Sequence, residues 1–339
     1  MKSILLVDVD SKIPNIALMK LSTFYRSRGC KVTLLRLGIS YYLHRRKKYY
    51  TIPFGYDRVY LSTIFRGSIN YVKRGFYPVE DFIIGGTGYS LLISLPFHIE
   101  NLDPDYSIYP ENDISYGFIS RGCIRNCYFC DVRKKEGNIR QANSISDIVR
   151  HKKVRFLDNN ILALSNHEEI LRELIDKNIR CCFWQGLDIR LINKINSELL
   201  SRLNYFNGYV FAFDRIEDKK IIQRKLELLT WRKDWRLEFF VYCNANMNIE
   251  DVIYRIRFLV NRKCFPYIMR DINCWSSKNQ NFYTDLASWC NQKNLIKKIS
   301  FFDFLDRKYT KNKERRIRGQ NLYFKALKEI RRGIINEKI

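Results

Sequence analysis

The sequence predicts an α/β protein in which a Rossmann-like domain is followed by a partial barrel of parallel strands, a (β/α)6 arrangement. Three observations carry this prediction. Short continuous apolar runs recur along the 339 residues, amphipathic stretches separate them, and one segment rich in Pro, Asp and Asn, ENLDPDYSIYPEND, interrupts the rhythm. Continuous apolar runs bounded by glycine or acidic residues read as parallel strands buried on both faces, and the 3.6-residue patterns between them as the covering helices.

In the first hundred residues the strand-like runs are SILLVD, KVTLLRL, DRVYLS and DFIIGG, with a helical pattern at KIPNIALMKLSTFYRSRG. This predicts a Rossmann-like domain over residues 1–100 and a linker over 101–113. The rhythm restarts at SYGFIS and continues through VRFLD, RCCFW, YVFAF, LEFFVYC and FPYIMR, each leading towards a helical pattern. Six strand–helix units joined by right-handed crossovers predict the barrel over 114–300, with a basic helical extension at 301–339. Barrel ligands gather at the carboxyl ends of strands. Those ends offer Cys123, Asp158 to Asn160, Gln185 to Arg190, Asp214 with Arg215, Asn244 with Asn246, and Arg270.

A hydrophobic fraction of 46% supplies a core and excludes a disordered chain. The apolar run in MKSILLVDVD is too short for a secretion signal, and no later run approaches a membrane span, so a cytoplasmic protein with no membrane partner is expected. In that setting ten cysteines read as reduced thiols or metal ligands rather than a disulfide framework. Sixty Lys and Arg against thirty-five Asp and Glu give a net charge of +25, which attracts polyanions without naming one. In YYLHRRKKYY, Arg45, Arg46, Lys47 and Lys48 lie between tyrosine pairs, a pattern suited to phosphates and stacked bases and equally to a solvated loop. The tail from Arg307 mixes cations with Ile317, Leu322, Phe324, Leu327 and Ile330, a stripe expected to dock on the barrel.

The densest chemistry lies in RGCIRNCYFC, where Cys123, Cys127 and Cys130 fall within eight residues. Three thiolates can hold three irons of a cubane cluster and leave the fourth iron open to a chelating small molecule. A closed zinc site needs a fourth ligand, and the nearest histidines, His98 and His151, are remote in sequence. Zinc with another cysteine, or three unrelated thiols, are the alternatives.

The stretch RGCIRNCYFCDV resembles the signature of the radical S-adenosylmethionine (SAM) superfamily, CxxxCxxC with an aromatic before the last cysteine. The resemblance implies a [4Fe-4S] cluster on Cys123, Cys127 and Cys130, SAM on the open iron, and Phe129 near the adenine. It also implies reductive SAM cleavage to a 5′-deoxyadenosyl radical that abstracts hydrogen from a substrate, with a reductase or flavodoxin-type protein as electron donor. Where that family places a GGE-like motif, this chain has FLDNN, so Asp158, Asn159 and Asn160 would accept the SAM ammonium through their oxygens. By the same resemblance Asp188, Arg190 and Asp214 would meet the SAM carboxylate or ribose, with Met269 as an apolar contact.

The first domain is similar to the cobalamin (B12)-binding domain that precedes many such barrels, through YLSTIF and FIIGGTG. It lacks the DxHxxG histidine motif: VDVDSKIPN offers Asp8, Asp10 and Lys12 and no imidazole, which argues against cobalamin in any histidine-ligated form. Gly85, Gly86 and Gly88 would instead permit a close backbone approach. The remaining thiols, Cys182, Cys243, Cys264, Cys274 and Cys290, lack the compact pairs of an auxiliary cluster and read as core residues. The expected activity is thus radical SAM chemistry on a nucleic acid or nucleotide. A peptide or small metabolite is the alternative substrate, and a non-catalytic iron-sulfur nucleic-acid-binding protein the alternative class.

Overall fold

A computed structural model describes residues 1–39 and 49–336, and the expected contacts Arg45, Arg46, Lys47 and Lys48 lie outside the described residues. The chain divides into two compact units, Met1–Arg155 and Phe156–Ile339.

In the first unit SILLVD becomes β1 (Ser3–Asp8), followed by α1 (Ile16–Arg26) and β2 (Lys31–Arg36). Then come β3 (Tyr50–Thr51), β4 (Arg58–Ser62), β5 (Val72–Lys73) and β6 (Phe82–Gly85). The main sheet has the order β2-β1-β4-β6 and is parallel throughout, with Asp8 opposite both Arg36 and Ser62. The inner positions of β1, Ile4 to Val7, are all apolar because both faces of the strand are covered. Ile4 and Leu6 pack with Leu18, Met19 and Leu21 of α1, while Leu5 and Val7 pack with Ile39, Ile52, Val59 and Tyr77.

Helices were expected on both faces of this sheet. Among the described residues the second face is covered instead by the parallel β3–β5 pair and the 3-10 turn at Ser68–Tyr71. The reason lies in the sequence around those elements, where TIPFGYD and RGFYPVED carry glycine and proline but no 3.6-residue apolar stripe.

The start of α1 is fixed by Asn15, whose side chain accepts the Leu18 N–H and donates to Ser62 Oγ at 2.9 Å. After α2 (Phe97–Glu100), residues 101–113 run as a strap along α1 within the first unit. Ser22 Oγ donates to Asp105 at 2.7 Å, and the buried Tyr109 hydroxyl donates to Asp8 at 2.9 Å. Next come β7 (Ile114–Gly117), β8 (Ser120–Arg121), α3 (Val132–Glu136), β9 (Arg140–Gln141), α4 (Ile145–Ile148) and β10 (Lys153–Phe156).

The second unit alternates helix and strand as expected: α5 (His167–Asp176), β11 (Arg180–Phe183), α6 (Lys194–Arg202), β12 (Tyr209–Ala212), α7 (Lys219–Glu227), β13 (Leu237–Cys243), α8 (Ile249–Asn261) and β14 (Phe265–Arg270). Strands β12, β13 and β14 form a parallel ladder, with Phe211 opposite Phe239 and Cys243 opposite Arg270. Each aromatic ring buried there, such as Phe239, contributes roughly 1.5–3 kcal/mol.

The chain ends in α9 (Gln280–Cys290), α10 (Lys293–Lys298), α11 (Phe301–Lys308) and α12 (Lys313–Asn336). Helix α12 docks as expected, but not through the whole predicted stripe. Tyr323 and Ala326 are its buried side chains, and Leu322, Leu327 and Ile330 are half-buried against the same core, whereas Ile317 and Phe324 are 49% and 50% exposed. Helical periodicity puts Gly319, Tyr323, Ala326 and Ile330 on one face, and Gly319 permits the close approach of Leu305. A buried carboxylate anchors this end. Asp285 on α9, 2% exposed, accepts from Lys308 at 3.0 Å, Tyr309 at 2.7 Å, and Arg315 Nε and Nη2 at 3.1 Å each. Asp285→Ala should therefore lower stability by about 2–4 kcal/mol. Tryptophan fluorescence in a urea titration checks this, because all five tryptophans lie in the second unit. An unchanged midpoint would mean that α12 is held by its apolar face alone.

Candidate metal centre

The cysteine loop belongs to the first unit and hangs from a β-ladder. Strands β8 and β9 pair antiparallel, Ser120 opposite Gln141 and Arg121 opposite Arg140, and the chain between them carries all three cysteines and α3. At this neck Gly122 has φ +84°, and a Cβ there would stand 2.1 Å from the Asn138 carbonyl oxygen, so only glycine closes the loop. Three further contacts hold it. Cys123 N–H donates to Gly137 O at 3.3 Å, Arg133 Nη1 donates to Cys123 O at 2.7 Å, and Arg121 bridges Glu136 and Glu100 at 3.1 and 2.9 Å. Farther along, Asp131 pairs with Arg66 at 3.2 Å, tying the loop to the segment after β4.

Within the loop the Arg125 N–H donates to Cys123 Sγ at 3.3 Å, and Cys130 N–H donates to Cys127 O at 3.0 Å. An N–H on the sulfur orients it, as hydrogen bonds to a ligating atom do. All three thiols are partly exposed. Phe129 is half-buried and meets Tyr128 edge to face at 5.3 Å. The two histidines considered as zinc ligands are occupied elsewhere: His151 Nδ1 lies 3.1 Å from Ser115 Oγ and packs on Tyr106, and His98 packs on Phe24. Among the described residues no three His, Cys, Asp or Glu groups converge as ligands of a single ion. A cubane asks for something different, since each thiolate binds a separate iron. The loop's donor set, sulfur alone on a braced and accessible backbone, fits such a cluster.

The other thiols differ in kind. Cys181, Cys182, Cys243, Cys264, Cys274 and Cys290 are buried. Burial pushes Cys181 up to about 12 and Cys264 up to about 11. The hydrogen bond with Cys274, together with burial, pushes Cys243 up as well. Cys181, Cys243 and Cys264 are core residues in the protonated form at neutral pH.

The residues expected at strand ends in the second unit are Asp158, Asn159, Asn160, Asp188, Arg190, Asp214 and Met269. Asp158 and Asn160 are buried, at 1% and 2% exposure. Asn159 is half-buried, yet its Oδ1 is buried and accepts no hydrogen bond among the described residues. An amide oxygen in that condition is suited to a ligand donor, because leaving it unmade costs about 1–3 kcal/mol. Asp188 and Arg190 are brought together as a bidentate pair at 2.7 and 3.1 Å, and Arg190 Nη1 also reaches Asp218 at 3.2 Å. Arg190 thus already carries two carboxylates. Asp214 accepts the Tyr242 N–H at 3.0 Å, and burial holds its carboxyl above the ordinary range. Met269, on β14, is 45% exposed.

Sequence reasoning missed Arg255. It is fully buried on α8, and its Nη1 donates to Phe213 O at 2.9 Å and Tyr242 O at 3.0 Å, tying the carboxyl ends of β12 and β13. A signal existed: in IEDVIYRIRFLV it occupies a position of the apolar stripe formed by Val252, Ile256 and Leu259. A second missed feature is the polar chain in which Asn244 donates to Tyr242 Oη at 3.0 Å, Tyr242 donates to Asp271 at 2.6 Å, and Asn273 donates to Asn244 at 2.8 Å.

The residues standing where a cobalamin histidine was sought build loops instead. Asp10 accepts from Ile64 N–H, Phe65 N–H and Thr63 Oγ1 at 2.7, 3.0 and 2.9 Å, and Lys12 approaches the Phe65 ring. The glycines close on the same segment: a Cβ at Gly86 would stand 2.2 Å from Thr63 O, and one at Gly88 2.5 Å from Phe65 O. The residues present do not fit a histidine-ligated cobalamin.

The fold is similar to that of a solved radical SAM methyltransferase, at a level of identity where the likeness is one of fold. The solved structures it matches include TsrM from Kitasatospora setae. With cobalamin and a [4Fe-4S] cluster bound, that structure gives a TM-score of 0.52 at 11% identity, covering 80% of this chain and 72% of that one. With tryptophan substrate and the SAM analogue aza-SAM bound, the values are 0.53, 13%, 77% and 71%. No protein-family model matches the chain. No curated protein matches it.

Two outcomes follow for the loop. After anaerobic reconstitution, Cys123→Ala, Cys127→Ala and Cys130→Ala should each lose most of the bound iron, while Cys243→Ala keeps it. Gly122→Ala should reduce iron per chain with a far smaller change in the unfolding transition followed by far-UV circular dichroism, because the strain falls on the neck of the loop. Full iron loading in Gly122→Ala would show that the neck does not position the thiols.

Proposed function

We propose that the protein is a radical SAM enzyme. The observation that carries the reading is the thiol-only loop: Cys123, Cys127 and Cys130, partly exposed, braced at Gly122 and Arg121, with Phe129 before the last cysteine. The TsrM-like fold supports it. A [4Fe-4S] cluster on these thiols would supply the electron that cleaves SAM to methionine and a 5′-deoxyadenosyl radical.

The chain's own residues would do the holding. Arg125 N–H would orient Cys123 Sγ, and Phe129 would give the adenine a flat apolar contact. In the second unit, Asn159 Oδ1 would accept from the SAM ammonium, with Asp158 and Asn160 beside it in sequence. The Asp188–Arg190 pair would present a fixed, already neutralised fork to ribose hydroxyls rather than a lone cation to the carboxylate. Asp214 would act as a half-buried acceptor and Met269 as an apolar contact. A partial (β/α)6 barrel is the architecture this reading assigns to 114–300. Any cobalamin would have to be held without a protein imidazole. Electrons would come from a reductase or flavodoxin-type donor.

Anaerobic reconstitution with iron and sulfide, then dithionite and SAM, should yield 5′-deoxyadenosine in a manner dependent on all three loop cysteines. A loaded cluster with no cleavage, under conditions in which a known radical enzyme works, would overturn the reading in favour of a binding role. Asn159→Leu should weaken SAM binding about tenfold by equilibrium dialysis with iron content unchanged.

A further inference from the structure

We propose that the exposed face of α12 and the groove beside it form a docking track for single-stranded nucleic acid, which names the substrate class for the radical chemistry proposed above and rests on that reading. The groove lies wholly in the second unit, has a volume of about 900 Å³, and begins at Ala245 and Met247, just past the carboxyl end of β13. Its polar walls carry three cations, Lys278, Arg318 and Lys325, and three amides, Asn248, Asn279 and Asn321. Arg318 is steered by donating to Lys278 O at 2.9 Å. Among the described residues no carboxylate pairs with Lys278, Arg318, Lys325 or Lys328, whereas Arg315, Arg316 and Arg332 are taken by Asp285, Asp306 and Glu329.

The aromatic component is Phe324. It stands 50% exposed on the outer face with the Lys328 ammonium 4.6 Å from its ring centre. Buried Tyr323 next to it points to the core, and the helical turn of about 100° per residue leaves the Phe324 ring on the outer face. Cations spaced along one helical face, amides between them and a flat exposed ring are what an unpaired strand needs: phosphate neutralisation, hydrogen bonds to base edges, and a stacking surface. Charge complementarity chooses this occupant, since Glu314 and Glu329 are the only acids within the helix, and Glu250 the other acid on the groove.

Full-length protein and a fluorescein-labelled single-stranded RNA of mixed sequence, followed by anisotropy at two salt concentrations, test this. Charge reversal at Arg318, Lys325 and Lys328 to Glu should weaken binding more than tenfold and flatten the salt dependence by about two units of slope. The same reversal at Arg180, Arg202 and Lys233, exposed residues elsewhere on the second unit, changes net charge equally and should leave affinity within about twofold. Phe324→Ala should cost about fivefold or more. All the substituted side chains are solvent-exposed, and an unchanged unfolding midpoint shows that each variant folds.

Equal loss from both charge reversals would reduce the effect to net charge and overturn the proposal. So would a polyglutamate of matched charge that displaces the RNA as efficiently as unlabelled RNA, because the surface would then recognise acidic peptide equally. Substrate-free 5′-deoxyadenosine formation is measured on the same variants. Its retention alongside lost RNA binding separates failure of this proposal from failure of the radical SAM reading.

Discussion

The proposed chemistry depends on keeping three thiols accessible while the backbone that carries them is not free to move. A long loop ordinarily gains exposure at the expense of order, since each fixed residue costs about 1–2 kcal/mol of conformational entropy. Here the order is imported from the neck. The β8–β9 ladder, the left-handed Gly122 and the Arg121 bridge to Glu136 and Glu100 fix both ends of the loop, and Arg133 fixes its first cysteine from within. Cys123, Cys127 and Cys130 therefore need no burial to be positioned. Their contrast with the core thiols follows, because Cys181 and Cys264 are held protonated by the same burial that positions them.

A second consequence concerns the carboxyl edge of the first sheet. In a ligand-binding Rossmann-like domain this edge is left open for a guest. In this chain its polar groups serve the loops: Asp8 takes the Tyr109 hydroxyl and the Ser11 N–H, and Asp10 takes three donors from the segment after β4. Gly86 and Gly88 let the two loops touch backbone to backbone. That segment also carries Arg66, whose pairing with Asp131 links the edge of the sheet to the cysteine loop. The acidic residues standing in for a histidine motif thus help brace the loop of the candidate metal centre.

Much of this was legible in the sequence where one physical cause acts alone. The parallel strands were visible because burial on both faces leaves an uninterrupted apolar run, as in SILLVD and LEFFVYC, and the helices because their stripes have period 3.6. The cysteine loop was visible because thiols at short fixed spacing have few other uses. What was not legible depended on two distant segments meeting. The β3–β5 cover of the first sheet comes from residues with no periodicity of their own. Arg255 was hidden because a cation in an apolar stripe makes sense only once two strand-end carbonyls converge on it. The outward turn of Phe324 was missed because apolarity was assigned to the stripe before its phase was fixed by Tyr323 and Ala326. The pairing of Asp188 with Arg190, two residues apart, was readable from adjacency, but Asp218 as the second partner was not.

Arg255 also explains how the second unit tolerates a half-buried carboxylate at Asp214. At the carboxyl ends of β12 and β13 desolvation raises the Asp214 carboxyl. A carboxyl raised in the folded state contributes stability below its unfolded value and loses that contribution as pH rises through its folded value, so at neutral pH its ionisation opposes folding. Arg255 and, more remotely, Arg190 act against this shift, and the Tyr242 N–H bonded to Asp214 does the same. Arg255 is the costlier group to bury and therefore the one whose placement must be complete: its guanidinium reaches two carbonyl oxygens and Met247 Sδ, and its Nε reaches Asp251 O. The buried cation and the raised carboxylate are thus one device, which fixes the ends of β12 and β13 from inside.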